Sequence, residues 1–282
     1  MSEESAVQKS KKTLWVLVSL GVLVVVVVLG ALQHIKPIFG LSSKDAEALT
    51  QKLNNLKVGV DISFFTQQLG EPKIKENKTI KLVSYKIIRH TDPKKEVREV
   101  VYNEYYYRSP YFYVQAVANE AGVVQLYSIT ARNKQFQPKI KTVLNESVQL
   151  GASVYQTLPP KLPYKVAGRL AEGPANAAYY EIFVLESALP KLEIYSTSPF
   201  GIIKDTVPLD EKQEGFLVSK FFEGTTFPIT PQHDAFRKTT VINTYTAVTA
   251  EFEGIDTSPD GMNYGETKFT FGPREDQIQK LQ

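Results

Sequence analysis

Cysteine is absent from the chain, and three other residue types are scarce: three His, two Met and one Trp in 282 residues. Without cysteine there are no disulfides, no thiolate metal sites, no cysteine nucleophile and no lipidated N-terminal cysteine. The absence does not locate the compartment, because exported proteins can also lack Cys. His34, His90 and His233 form no HExxH or His-x-His pattern, and no carboxylate is spaced to complete a metal site with them. A G-x-S-x-G elbow, a Walker loop and a dinucleotide glycine fingerprint are missing too. The formal net charge is only +3, and no stripe dense in Lys and Arg is interleaved with aromatics, so nucleic acid is not an expected partner. The expectation is a chain with no cofactor and no metal, acting without catalysis.

What the chain does have is a long apolar run, Leu14 to Leu32, free of charged residues. Nineteen helical residues rise about 28 Å, close to the hydrocarbon thickness of a bilayer. In lipid each backbone N–H and C=O must be satisfied within the segment, so this valine-rich run is expected to be a transmembrane helix. It exceeds the roughly 7–15 apolar residues of a signal peptide, and Leu29-Gly30-Ala31 puts Leu where a cleavage site needs a small residue. An uncleaved anchor through residues 14–32 is therefore expected. Lys9, Lys11 and Lys12 precede it and Lys36 alone closely follows it, which predicts a cytoplasmic N-terminus (residues 1–13) and a body outside the cytoplasm.

After a spacer at residues 33–42, helices and strands alternate in a pattern that predicts an α+β body of two units, 43–140 and 141–282. A helix is expected from Ser43, with Leu49, Leu53 and Leu56 on one face. The next segment, Gly59 to Pro72, is the most legible. Asp61 is placed to cap a helix, Ile62, Phe65 and Leu69 share a side, Gly70 ends it and Pro72 prevents extension. Strands are expected over Ile80–Ile88, Val97–Tyr107, Tyr111–Ala118 and Val123–Ala131, an antiparallel meander covered on one face by the helix. In the third strand, Phe112, Val114, Ala116 and Ala118 point one way and Tyr111, Tyr113 and Gln115 the other.

Leu150 to Pro160 echoes Gly59 to Pro72 and leads into expected strands at Tyr179–Leu185 and Leu192–Ser196. The echo spans about 92 residues at Gly59/Gly151 but about 68 at Tyr127/Tyr195, so the two units are a divergent tandem pair at most. Prolines concentrate after Pro138, predicting irregular connections there. Phe216–Phe222 and Thr239–Phe252 are further strand candidates. Asp210–Glu214 and Pro228–Asp234 are expected loops, and Arg274–Leu281 a terminal helical turn or two.

His233-Asp234 has acid–base chemistry available but no nucleophile motif beside it. Asp256 to Glu266 resembles a calcium loop, yet Glu arrives one residue early and Pro259 intrudes, so a tight turn is the better account. The run Tyr105 to Tyr113 carries more aromatic surface than one sheet face can bury. Tyr106, Tyr111 and Tyr113 are therefore the candidate partner surface, unless the second half of the chain covers that face and makes them core.

Two resemblances follow from these motifs. The helix ending in Leu69-Gly70-Glu71-Pro72 before a meander resembles SmpA/OmlA-type outer-membrane assembly lipoproteins, although their lipidated Cys is absent. Ile62-Ser63-Phe64-Phe65, Tyr113-Val114-Gln115-Ala116, Tyr127-Ser128-Ile129-Thr130, Leu150-Gly151, Phe271-Gly272-Pro273 and Asp276-Gln277 resemble an uncharacterised bacterial family. Its members have one N-terminal membrane helix and a domain of unknown function. That resemblance implies an architecture and no activity. The expected role is a membrane-anchored binding or scaffold module of the cell envelope with a protein partner. Alternatives are a tethered ligand or stress sensor, which needs a polar-lined pocket, and a hydrolase, which needs two carboxylates about 5–10 Å apart.

Overall fold

The structure, a computed structural model, describes residues 41–86, 94–142, 147–158, 164–171, 178–185, 191–202, 231–249, 252 and 271–281. The expected membrane helix at 14–32, the flanking lysines, His34, His90, the 216–222 strand, the 210–214 loop and the 256–266 turn lie outside them. No helix among the described residues is long and apolar enough to cross a membrane. Two units are distinguished, 1–45 and 46–282, and the second is the body.

Helix α1 (Ser43–Asn55) starts where Ser42 accepts a hydrogen bond from the Asp45 backbone N–H at 3.1 Å, and Leu53 is its buried residue. Helix α2 (Ile62–Leu69) starts at Asp61, whose carboxylate accepts from the Ser63 N–H at 2.8 Å. The Ser63 side chain first, and then this backbone N–H, lower the Asp61 pKa. Gly70, at φ +83°, turns the chain out of the helix, as its sequence position predicts.

Four strands follow as a meander: β1 (Ile74–Lys86), β2 (Lys94–Arg108), β3 (Phe112–Asn119) and β4 (Val124–Ala131). A small hairpin, β5 (Lys139–Lys141) with β6 (Ser147–Gln149), comes next, and Asn54 clamps β5 through Lys139 and Lys141. A single 3-10 turn, Tyr155–Thr157, replaces a second long helix. The second meander is β7 (Tyr164–Ala171), β8 (Ala178–Leu185), β9 (Lys191–Thr197) and β10 (Thr244–Val248). Helix α3 (Pro231–Thr239) lies between β9 and β10, and α4 (Glu275–Leu281) closes the chain.

All eight long strands belong to one antiparallel sheet, in the order β1-β2-β3-β4-β10-β9-β8-β7. The fold is α+β, as expected. The expected division at 140/141 falls inside β5, and the two meanders share the sheet because β4 pairs with β10.

That junction has an approximate twofold relation, centred on the pair Ser128 and Thr246. Ala131 donates its N–H to the Asn243 carbonyl, and Thr249 reciprocally donates to Gln125. Asp61 bridges Val123, while Val154 bridges Val241, at matching positions beside the two central strands. Gly59 N–H bonds the Val124 carbonyl and Gly151 N–H the Ile242 carbonyl, with φ of +78° and +81°. The echo at Gly59/Gly151 is thus structural. The echo at Tyr127/Tyr195 is corrected: Tyr127 corresponds to Tyr245, and Tyr195 lies on the neighbouring strand, facing Tyr245 at 5.7 Å.

Two other expectations change. The sequence predicts a loop over Pro228–Asp234; residues 228–230 lie outside the described residues, and Pro231 opens α3, where its missing N–H costs nothing. The expected strand over 239–252 shrinks to Thr244–Val248, since Thr240 still bonds back to Phe236 at the helix end.

Both sheet faces are covered in the centre, so β4 is buried throughout although it alternates polar and apolar residues. On the back face, Phe65 of α2 packs edge-on against Tyr127 at 5.6 Å, and Tyr127 donates to the Leu56 carbonyl. On the front face, Ile80, Tyr102, Val117, Leu126, Ile194 and Val248 form a cluster with Phe252 and Phe271. Beside that cluster run hydroxyl pairs across the junction, Ser128 with Thr246 at 2.7 Å and Thr130 with Thr244 at 2.9 Å.

Candidate functional site

The front face of the first meander gathers the residues with the most polar chemistry. Glu104 and Tyr106 alternate on β2, and Gln115 pairs with Tyr106 across β3, so all three project to the same side. Tyr106 donates its hydroxyl to Glu104 Oε2 at 2.8 Å and accepts from Gln115 Nε2 at 3.1 Å. Glu104 is 1% exposed, a position a carboxylate tolerates only with cations and donors around it. Lys78 of β1 supplies one charge at 3.9 Å and Arg274 another at 3.5 Å.

Arg274 arrives from the C-terminal segment, Phe271–Leu281, which lies on this face. Gly272 donates its N–H to Gln115 Oε1 at 3.0 Å. Arg274 also reaches Glu76 at 3.4 Å and Asp276 at 3.1 Å, and Lys280 pairs with Glu76. Burial pulls the Arg274 guanidinium pKa down, but Asp276, Tyr106 and Glu104 together leave it raised. The Lys280 hydrogen bond holds Glu76 below the usual glutamate range. Burial, then the neighbouring Glu104, pushes the Tyr106 hydroxyl far up, so it stays a protonated donor.

The three predicted tyrosines are therefore not one exposed patch. Tyr106 is 1% and Tyr113 5% exposed, and the Arg132 guanidinium lies 4.5 Å above the Tyr113 ring. Tyr111 is half-buried, its ring 5.9 Å from Phe136. The alternation along β3 is as expected. What changes the outcome is the cover on the front face, contributed from about 160 residues further along the chain. Glu76, Glu104, Gln115 and Arg274 were missed as a group. A signal was present in Glu104, an acid flanked at the alternate positions of β2 by Tyr102 and Tyr106.

A second polar cluster occupies the back face of the second meander. Glu193, fully buried, accepts from the Tyr195 hydroxyl at 2.9 Å and the Tyr245 hydroxyl at 2.8 Å. Burial first, then Tyr127 and Glu193, holds the Tyr245 hydroxyl well above its ordinary range, so it too remains a donor. Glu181, 1% exposed, meets Arg237 of α3 in a two-point pair of 3.0 and 3.2 Å. The same guanidinium donates to the Tyr155 carbonyl at 3.0 Å. Nη2 carries both of these hydrogen bonds, while Nε meets Glu181 through charge alone.

Among the described residues no group of three or more His, Asp or Glu is placed to hold a metal ion. His233 and Asp234 lie in α3 and not in a loop.

No protein-family model, curated protein or solved structure matches the chain.

Proposed function

We propose that this is a single-pass protein of the bacterial cell envelope, anchored through residues 14–32, whose body outside the cytoplasm binds a protein partner as a non-catalytic scaffold. The observation that carries the binding reading is the use of the three carboxylates buried among the described residues. Glu104 is engaged by Arg274, Lys78 and Tyr106, Glu181 by Arg237, and Glu193 by two tyrosine hydroxyls. Acids held this way stabilise elements against each other, which supports a structural role for them over proton transfer. The charge-free apolar run and the three lysines before it support the anchor and its orientation. The resemblance to the single-pass family supports the same architecture.

The matched hydrogen bonds at the β4–β10 junction and at Gly59 and Gly151 support an origin by duplication of one helix-plus-meander unit.

Two measurements test this reading. Protease added to intact spheroplasts should remove the body; full protection contradicts the orientation. A photo-reactive residue placed in cells at exposed Lys75, Asn77, Arg108, Glu120 or Lys139 should trap a discrete protein partner in the membrane fraction. A clean blank at all five positions contradicts the scaffold role.

A further inference from the structure

The first hairpin outruns the sheet it belongs to. Strands β1 and β2 stay paired from Ile74↔Tyr106 to Lys86↔Lys94, whereas β3 leaves β2 at Tyr102↔Asn119. The last hairpin residues held by the front-face cluster are Ile80, buried, and Val100, half-buried. Beyond them Glu99 is exposed, and six further pairs, Lys81↔Glu99 to Lys86↔Lys94, continue with no third strand among the described residues. At about 3.4 Å per residue this ribbon is roughly 20 Å long. Two strands alone are marginal in water and hold better against another layer.

Charge sets the ribbon apart as well. Residues 81–86 and 94–99 contain Lys81, Lys86, Lys94, Lys95 and Arg98 against Glu96 and Glu99, a formal +3. The whole chain is also +3, so everything outside the ribbon is balanced. The register sets Lys86 opposite Lys94, a like-charge pair that destabilises a hairpin unless an anion is nearby. Lysines along open strand edges also discourage pairing with another strand, which argues against a partner strand as the occupant. A surface of closely spaced negative charges fits better. In the anchored reading such a surface is within reach, because the spacer at residues 33–42 spans at most about 36 Å when fully extended.

We propose that the ribbon of residues 81–86 and 94–99 is a second membrane contact, whose cationic residues bind the anionic headgroups of phospholipids. The contact rests on the anchored reading above and adds a lipid ligand to it. Confinement by the anchor lets a weak contact suffice, and binding there orients the body over the bilayer. Attraction to headgroups falls off within a Debye length, so the contact is lost in high salt.

The lack of native cysteine permits a single label on the full chain. Ser84→Cys, in the ribbon, carries an environment-sensitive fluorophore; Lys134→Cys, exposed beyond β4 at the opposite end of the sheet, is the reference. Each protein is reconstituted into vesicles of phosphatidylcholine, with or without phosphatidylglycerol, that contain a headgroup-labelled quencher lipid. Phosphatidylglycerol should raise quenching at Ser84 at least about twofold and leave Lys134 unchanged. High salt, or Lys86→Gln with Lys94→Gln and Lys95→Gln, should abolish the rise, and Glu96→Gln should enlarge it. Quenching that ignores phosphatidylglycerol, salt or both sets of substitutions overturns the contact, as does an equal rise at Lys134. A photo-reactive residue at Ser84 that traps a protein in cells, and no lipid, overturns it too. A chain that fails to float with phosphatidylcholine vesicles faults the anchor; one that floats without the charge-dependent quenching faults the ribbon contact alone.

Discussion

The two meanders solve the same packing problem with different parts. In the first, α2 precedes the strands and places Phe65 on Tyr127, while β3 passes to β4 through the short turn at Gly122. In the second, a 3-10 turn leaves Tyr155 alone, and the ring stacked on it, Phe236, comes from α3, inserted between β9 and β10. An apolar ring covers the back face in both cases, but its chain position has moved by the length of an insertion. The constraint lies in the sheet, whose back-face tyrosines must be roofed, and not in where the roof comes from. The second roof also brings Arg237, which pairs with the buried acid Glu181 on this face.

Breaking each roof sharpens this comparison. Phe65→Ala should destabilise the body by about 3–5 kcal/mol, since the ring is fully buried and its loss leaves a cavity over Tyr127. A thermal melt of a form lacking residues 1–40 measures it, and an unchanged midpoint would show that α2 is not a roof. Arg237→Ala should cost about 3 kcal/mol by taking the cationic partner from buried Glu181. Adding Glu181→Gln should restore part of that loss, because the acid left behind is then neutral; a double variant weaker than the single would contradict the pairing.

The glycines at matching positions separate the halves further. Gly59→Ala should cost only the left-handed backbone strain, about 1–2 kcal/mol, because open space surrounds its Cβ direction. Gly151→Ala should cost more, since a Cβ there would lie 2.5 Å from Ile202 Cδ1. Equal losses in urea titrations would mean that the two turns are not packed differently.

The smallest expected effect is electrostatic and belongs to the first half. Glu76 is depressed by Lys280 first, then by the Gln277 side chain and by Arg274, against the opposing effect of burial, with Lys78 and Glu104 also facing it from β1 and β2. An acid with a lowered folded pKa stabilises above its ordinary range and loses that contribution as pH falls through the folded value. Docking of α4 should therefore loosen as pH drops below the usual glutamate range, and Lys280→Ala should flatten that dependence. Exchange of α4 amides across acidic pH gives the readout, with a slope unaffected by Lys280→Ala as the contrary result.

Local chemistry made part of this fold legible. Asp61 and Gly70 bracket α2 because caps act within one turn of chain, and the alternation along β3 assigned its faces correctly. Gly59 and Gly151 revealed the repeat because both turns need positive φ. The signals failed wherever distant segments decide the outcome. Strand β7 contains Gly168 and Arg169 and has little strand pattern of its own; its register with β8 makes it a strand. Helix α3 begins Pro-Gln-His-Asp, a turn-like start, and owes its place to Phe236 on Tyr155 and Arg237 on Glu181. Tyr106 looked like surplus aromatic surface because the segment that covers it lies near the other end of the chain.

The central claim is that both meanders form one sheet through the β4–β10 pairing, centred on Ser128 and Thr246. This pair faces across a non-hydrogen-bonded position, where side chains approach most closely, and the hydroxyls are 2.7 Å apart. Since the chain has no native cysteine, Ser128→Cys with Thr246→Cys offers a single disulfide at that point. Mild oxidation of the purified protein should close it within one chain, giving a faster-migrating band on a non-reducing gel and an undiminished melting midpoint. Free thiols after oxidation, or crosslinks only between chains, would contradict the shared sheet.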